Sequence, residues 1–408
     1  MLPLDRLRDV EQADVLKKGC RAGTLSRGRT AVVFEYGPEY LEAAGPPVAT
    51  SLPLTPDPVV THAAGALPPF FSGLLPEGRR ITALRHAVKT SADDEVTLLL
   101  AVGGDVIGDV QVVPAGQEPA PVEPRVTAGA WKDVRFADLF AASVGAVAAI
   151  DRVAIPGVQD KVSARMINVP VGQEDTRFIL KLEPPEFPHL VANEAFFLEA
   201  ARRSGLDCAE AEVVHDATGA AGLLVRRFDR RPREGGGVDM LAQEDACQVL
   251  GLYPADKYRT TTEEVVAGLA AVCQARPVAA RTLLQQFAFA YLSCNGDAHA
   301  KNSSVRQLAD GEWRVTPAYD VLSTYPYGDT TMALPVNGRR REDIGRRDFL
   351  ALGDAAGLRR RAVERALDDL CQRVDLWIDA LEALPFDQRR LEKLRRAVEY
   401  RRRRLSGP

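Results

Sequence analysis

Two periodicities divide this chain, a short-strand pattern in the first third and a helical one in the last. Residues 30–36 (Thr-Ala-Val-Val-Phe-Glu-Tyr) form a β-branched and aromatic run, and 51–54, 96–102 and 110–113 are further strand candidates, with 96–102 also fitting a helix. Between them, 67–78 sets Phe70, Phe71, Leu74 and Leu75 among prolines, which predicts a loop pinned into a core; a partner-facing patch is the lesser reading. Four prolines within 114–125 read as a linker. The expected domains are therefore 1–115, strand-rich, then a linker at 116–128 and a body at 129–408.

In the body, 131–150 has helical spacing, and strand signals follow at 162–168 and 177–182. A helix is predicted over 190–204 with Gly205 as its C-cap, then a strand at 222–225. From Glu244 onward the pattern is mostly helical, strongest in 279–294 and 360–384. Sheet first and helices after predicts a two-lobed α+β body, with a smaller lobe at roughly 150–230 and a helical lobe at roughly 231–408.

Composition narrows the class. The 408 residues are 46% hydrophobic and 26% charged, an ordinary globular profile. With 52 basic against 56 acidic residues, wholesale nucleic-acid wrapping is not expected, although a local basic patch is compatible with that balance. The longest nearly apolar run, 139–150, is shorter than the ~20 residues of a membrane helix. The first residues carry charges where a signal peptide needs apolar ones. Six scattered cysteines without a CxxC pair argue against zinc and a disulfide framework. These features predict a cytoplasmic protein with no membrane contact and reduced thiols.

Candidate chemistry is densest in Asp297-Ala298-His299-Ala300-Lys301-Asn302, which follows the helical stretch 279–294. Asp-x-x-x-x-Asn is the spacing of a protein-kinase catalytic loop, where Asp orients or deprotonates the attacking hydroxyl and Asn binds Mg²⁺. A strand–turn–strand pattern follows at 304–307 and 313–316, then Pro317-Ala318-Tyr319-Asp320, where a kinase holds its principal Mg²⁺ ligand. Two protein oxygens plus phosphate oxygens suit Mg²⁺. Phe178-Ile179-Leu180-Lys181 is an apolar strand ending in a lysine of the kind that holds ATP phosphates, and Glu194 on the next helix is its candidate partner. Ile155-Pro156-Gly157-Val158-Gln159-Asp160-Lys161 would cover the phosphates. Phe228-Asp229 fits a hinge whose backbone reads adenine and whose Asp229 accepts from a ribose hydroxyl.

At these residues the chain resembles the HipA family of serine/threonine kinases, the toxin halves of bacterial toxin–antitoxin pairs. The strings that carry the likeness are Gly23-Thr24-Leu25, Ser51-Leu52-Pro53-Leu54, the stretch 70–78, Gly157-Val158-Gln159-Asp160-Lys161, Arg227-Phe228-Asp229-Arg230-Arg231, Gln243-Glu244-Asp245, 297–302 and 317–320. The resemblance implies a kinase-like fold with an added N-terminal domain and Mg-ATP-dependent phosphorylation of a protein serine or threonine, an aminoacyl-tRNA synthetase being the best-known kind of target. It also implies a HipB-like DNA-binding antitoxin as partner, with DNA met mainly through it. By matched position Asp297 is the catalytic base, and Asn302 and Asp320 hold metal. ATP would meet Val158, Gln159, Asp160, Lys161, Val162, Ser163, Lys181, Arg226, Arg227, Phe228, Asp229, His299, Ala300, Lys301 and Tyr319.

Two positions depart from the family pattern. Many members carry, just before the Gly-x-Gln loop, a serine whose phosphorylation switches the kinase off; here it is Pro156, with Ser163 nearby as a substitute. The first hinge position, often Glu, is Arg226. Two other functions compete, an ATP-binding corepressor of the antitoxin with little catalysis and a small-molecule kinase of the same fold. The tail 389–404, with nine basic against two acidic residues, reads as an amphipathic packing helix, with nucleic-acid contact as the alternative. Arg339-Arg340-Arg341 reads as an exposed turn, with a phosphoacceptor-facing patch as the alternative.

Overall fold

A computed structural model describes residues 3–63, 65–119, 126–127, 131–145, 166–173, 175–184 and 186–407. These residues fall into two compact units. One takes in the described part of Met1–Asp160 with Ile167–Leu182 and Val214–Pro254; the other takes in Met166, Glu183–Val213 and the described part of Ala255–Pro408.

In the first unit, β1 (Gln12–Lys17), β2 (Cys20–Arg27), β3 (Val32–Tyr36), β4 (Val59–Thr61) and β5 (Val110–Pro114) form an antiparallel sheet in the order β4-β3-β2-β1-β5. Its apolar face carries Val15, Leu25 and Phe34 into a core shared with the short helices α1 (Pro38–Glu42) and α2 (Pro69–Gly73), and with α3 (Gly78–Val88) and α4 (Glu95–Val102). The proline-bounded stretch 67–78 lies in that core as expected, with Phe71 against Phe34 at 5.3 Å between ring centroids. Residues 96–102 take the helical alternative, every one of them buried, with Asp94 capping the Thr97 N–H. Residues 51–54 are not a strand. The backbone there turns through an Ala49–Leu52 bridge, because the N–H and hydroxyl of Thr50 bond the buried Glu244 carboxylate at 2.9 and 2.6 Å.

A second sheet, ordered β6-β7-β8-β10-β9, is built from β6 (Val126–Thr127), β7 (Ile167–Gln173), β8 (Thr176–Leu182), β9 (Ala211–His215) and β10 (Ala221–Arg226), with α5 (Phe136–Gly145) packed on β7. The strand expected at 162–168 lies five residues later, and 162–165 are outside the described residues. β11 (Arg230–Pro232) and β12 (Val238–Met240) form a hairpin, and β13 (Gln243–Asp245) leads into α7 (Ala246–Val249). By compactness β6, β7, β8 and β10 fall in one unit with β1–β5. One reason is a buried ionic cluster. Arg227 and Arg230 each bond both Asp229 and Asp105, and the Gly108 N–H donates to Asp229 at 3.0 Å.

The second unit is mostly helical: α6 (Leu190–Arg203), α8 (Thr262–Val272), α9 (Arg276–Leu292), α10 (Arg346–Ala355), α11 (Arg360–Arg373) and α12 (Gln388–Ser406), with the hairpin β14 (Ser304–Gln307) and β15 (Trp313–Val315). α6 stops as predicted, and Gly205 takes a φ of +88°. The helix expected over 360–384 ends at Arg373, and two 3₁₀ turns follow that bury Trp377, its indole N–H donating to Ser204 at 3.0 Å. α12 buries Leu391, Leu394 and Val398, as amphipathic packing requires. Its Arg401 is buried too, donating to the carbonyls of Tyr291 and Thr330 at 2.8 and 2.6 Å. Among the described residues no helix is long and apolar enough to cross a membrane.

Two stability predictions follow from buried charge. Burial opposes ionisation of Asp229, but the Arg227 and Arg230 guanidiniums outweigh it and hold the carboxyl well below the usual carboxylate range. Asp229→Ala would leave two buried cations with Asp105 as their shared carboxylate, and a loss of ~3–5 kcal/mol in urea unfolding is expected. Asp216 is pulled down to about 2, where burial is outweighed by donation from Phe136 N–H and from Thr218 and Ala220. Its stabilisation is complete above an unfolded value of ~3.9 and fades as pH falls towards the folded one. Asp216→Asn should therefore lose stability at neutral pH and show a shallower decline between those two values in parallel denaturant titrations.

Candidate active site

The densest polar segment of the sequence sits where α9 ends. Its apolar residues from Ala279 onward, including Leu283, Phe287 and Leu292, are buried, so the helix is a fixed post and the loop after it starts from a defined place. Ser293 caps the helix and Cys294 turns the chain with a left-handed φ of +57°, a conformation that costs a non-glycine residue ~1–3 kcal/mol.

From there the loop closes on itself. The His299 N–H and the Asn302 side-chain Nδ2 both donate to the Asp297 carbonyl, at 2.8 and 2.9 Å, and the Asp297 N–H donates to Asn295 Oδ1 at 2.9 Å. Since a carbonyl can only accept, Nδ2 must be the end of the Asn302 amide turned inward, which directs Oδ1 the other way. Asp297 is fully buried, and Tyr258 donates its hydroxyl to Oδ1 at 2.9 Å. His299 is equally buried, packed edge-on against the Tyr258 ring at 5.1 Å. Ala300 and Lys301 lie in the 3₁₀ turn Ala300–Asn302; the Lys301 carbonyl accepts from the Tyr319 hydroxyl at 2.8 Å.

The hairpin of β14 and β15 brings the chain back as expected, and Asp320 follows it with a left-handed φ of +53°. Asn302, Ser303, Tyr319 and Asp320 line one open cleft together with Phe287 and Phe289 of α9. An amide oxygen and a carboxylate on one cleft are a hard oxygen pair of the kind Mg²⁺ accepts while keeping waters and phosphate oxygens as its other ligands. The residues present therefore fit that ion.

The remaining expected site residues divide into three groups. Lys181 lies on β8, buried, in register with Leu223 of β10, and Glu194 is buried on α6. Val158, Gln159, Asp160, Lys161, Val162 and Ser163, with Pro156, lie outside the described residues. At the expected hinge, Arg226 ends β10 and Phe228 is partly exposed. The Asp229 carboxylate is engaged within the unit, accepting from Arg227, Arg230 and the Gly108 N–H. Arg227 spends its guanidinium on Asp105, Asp229 and the Val106 carbonyl, and its N–H on the Arg177 carbonyl.

Several contributors escaped the sequence reading. Tyr258 holds Asp297, and the neighbouring Lys257 is fully buried with its carbonyl accepting from Ala300 N–H at 3.2 Å. Arg340, from the turn read as exposed, donates to the Tyr258 carbonyl at 3.0 Å. Gly296 is required by space. A Cβ there would lie 2.6 Å from Asp329 Oδ2 and 2.7 Å from Thr324 Oγ1. Gly296→Ala is expected to cost ~1–3 kcal/mol by overpacking, read as a lowered urea midpoint at unchanged slope.

Known proteins resemble this chain over most of its length. A model described as the HipA N-terminal domain matches residues 13–113, and one described as the HipA-like C-terminal domain matches 153–378. Y4mE of Sinorhizobium fredii is 33% identical over 348 residues, 79% of this chain and 78% of its own. The serine/threonine-protein kinase toxin HipA of Shewanella oneidensis is 28% identical over 330 residues, 75% of this chain and 74% of its own. A solved complex of HipA, HipB and operator DNA from Shewanella oneidensis contains a chain that superposes with a TM-score of 0.76 at 21% identity, covering 96% of this chain and 97% of that one. The fold is thereby an α+β, kinase-like one.

Proposed function

The chain belongs to the HipA family, and on that footing we propose that it is a Mg²⁺- and ATP-dependent serine/threonine protein kinase acting as the toxin of a toxin–antitoxin pair. The observation that carries the proposal is the loop closed by Asn302 on the Asp297 carbonyl, with Asn302 and Asp320 facing one cleft.

Phosphoryl transfer asks little covalent chemistry of a protein and much positioning. Mg²⁺ held by Asn302 and Asp320 would neutralise charge on the transferred group. Asp297 orients the acceptor hydroxyl and takes its proton, and Lys181 contacts the phosphates. Lys301, in the turn between Asp297 and Asn302, adds positive charge beside the loop. The proposed partners are a HipB-like antitoxin, through which operator DNA is met, and a protein substrate such as an aminoacyl-tRNA synthetase. Pro156 has no hydroxyl, so self-inactivation by phosphorylation at that position is ruled out by chemistry.

A second reading has one observation in its favour: Asp297 is fully buried, and its Oδ1 already accepts from Tyr258. In that reading the protein binds ATP and tightens an antitoxin on DNA, with catalysis secondary.

Transfer of labelled γ-phosphate from Mg-ATP to proteins of a tRNA-supplemented lysate separates the two. Asp297→Ala and Asp320→Ala are each expected to lower transfer by ~10²-fold or more while ATP still binds the Asp297→Ala protein. Equal labelling by wild type and Asp297→Ala would sink the kinase assignment. Retained repression by a wild type that transfers nothing would select the corepressor.

A further inference from the structure

Three and four residues beyond Asp320 lie two fully buried hydroxyl residues, Ser323 and Thr324, which no catalytic role has claimed. Both sit on the peptide run that delivers Asp320, and their hydrogen bonds reach three other segments of the same unit.

The first is α6. Asn193 and Ser323 exchange two hydrogen bonds, Asn193 Nδ2 donating to the Ser323 carbonyl and the Ser323 N–H donating to Asn193 Oδ1, each at 2.9 Å. Asn193 is itself fully buried in the first turn of α6, one residue before Glu194. The second is the start of the catalytic loop. Thr324 donates its N–H to the Cys294 carbonyl at 3.1 Å, and its Oγ1 accepts from the Gly296 N–H at 2.8 Å. The third is Asp329, whose carbonyl shares the Thr324 hydroxyl proton with that of Cys294, at 3.1 and 3.2 Å.

We propose that Thr324 is a positioning residue, the centre of a clasp through which α6 and the Asp320 segment together set where Asp297 stands. Gly296 immediately precedes Asp297, so a hydrogen bond to its N–H fixes the Asn295–Gly296 peptide, the one just before the peptide that bears Asp297. Cys294 and Asp320 both hold left-handed conformations that neither would keep alone, and the clasp spans the chain between them. A bidentate side-chain amide such as Asn193 cannot slide along its partner without losing both bonds, so a shift of α6 is passed to 323–324 and from there to 294–296. α6 thus belongs mechanically to the catalytic segment, which accords with its falling in the same compact unit. The proposal rests on the kinase reading for its kinetic consequence, but not for its mechanical one.

The test uses the full chain with Thr324→Val, which keeps shape and loses the hydroxyl, Thr324→Ser, which keeps it, and Asn193→Asp, which can accept from Ser323 N–H but not donate to its carbonyl. Amide hydrogen exchange is measured alongside kcat and KM for ATP in γ-phosphate transfer. In Thr324→Val, exchange across 294–298 is expected to rise about tenfold above any change in β1–β5, with kcat down about tenfold and KM for ATP within about twofold. Thr324→Ser should restore both, and Asn193→Asp should raise exchange in α6 and in 294–298 together. Unchanged exchange at 294–298, or a rise spread evenly over the chain, would overturn the clasp. If Thr324→Val does not fold, Asn193→Asp decides by the same exchange readout. A wild type that transfers no phosphate would refute the kinase reading, while the exchange result still judges the clasp.

Discussion

The hydrogen bond from Asn302 Nδ2 to the Asp297 carbonyl, 2.9 Å long, is the constraint on which the site depends. It folds six residues into a closed turn and settles the orientation of the amide, because only a donor can meet a carbonyl there. With the nitrogen turned inward, the amide oxygen is left for the cleft that Asp320 also lines. An aspartate at 302 would bring charge but no donor, and the turn would open. Asparagine is therefore suited to both parts, the strut that the structure shows and the metal ligand that the proposed function asks for.

A loop with this many polar groups needs a rigid frame, and the chain supplies one of different character in each unit. In the unit that holds the loop the frame is apolar: α9 buries its apolar residues from Ala279 to Leu292, and Trp377 sits against Phe197 and Phe289. In the sheet unit it is partly ionic. Lys17 pairs with Asp109 at 2.7 Å with both side chains nearly inaccessible, Glu244 grips Thr50, and Asp105, Arg227, Asp229 and Arg230 form a closed charge cluster. Buried charges of this kind add little net stability over well-packed apolar residues, yet they tolerate almost no displacement. Their effect is to fix one arrangement of β10, β11 and the turn before β5.

Much of this was legible from periodicity, and the failures share a cause. α6, the β14–β15 hairpin, the pinned 67–78 stretch and the packing face of α12 all follow from local spacing, because each buries residues repeating along its own element. β1 and β2 did not stand out: Gln12–Lys17 and Cys20–Arg27 include charged residues that are buried or paired only once the sheet exists, such as Asp14 and Lys17. The sequence does not show that Asp229 accepts from two arginines and a distant glycine. Tyr258, Asn193 and Thr324 were missed for the same reason, their partners being 39, 130 and 28 residues away. An asparagine in the first turn of an amphipathic helix, on the face that becomes buried, was the one local hint. The spacing of Asp297 and Asn302 survived because both ends of that contact lie in one loop.

The central claim is that Asn302 and Asp320 together hold a divalent ion against nucleotide phosphates. Electron paramagnetic resonance of Mn²⁺, titrated into the protein with a non-hydrolysable ATP analogue, tests it most directly. The account predicts a nucleotide-dependent bound signal in the wild type that is lost in Asp320→Ala and weakened in Asn302→Ala. Mn²⁺ binding of equal affinity in all three proteins would contradict it.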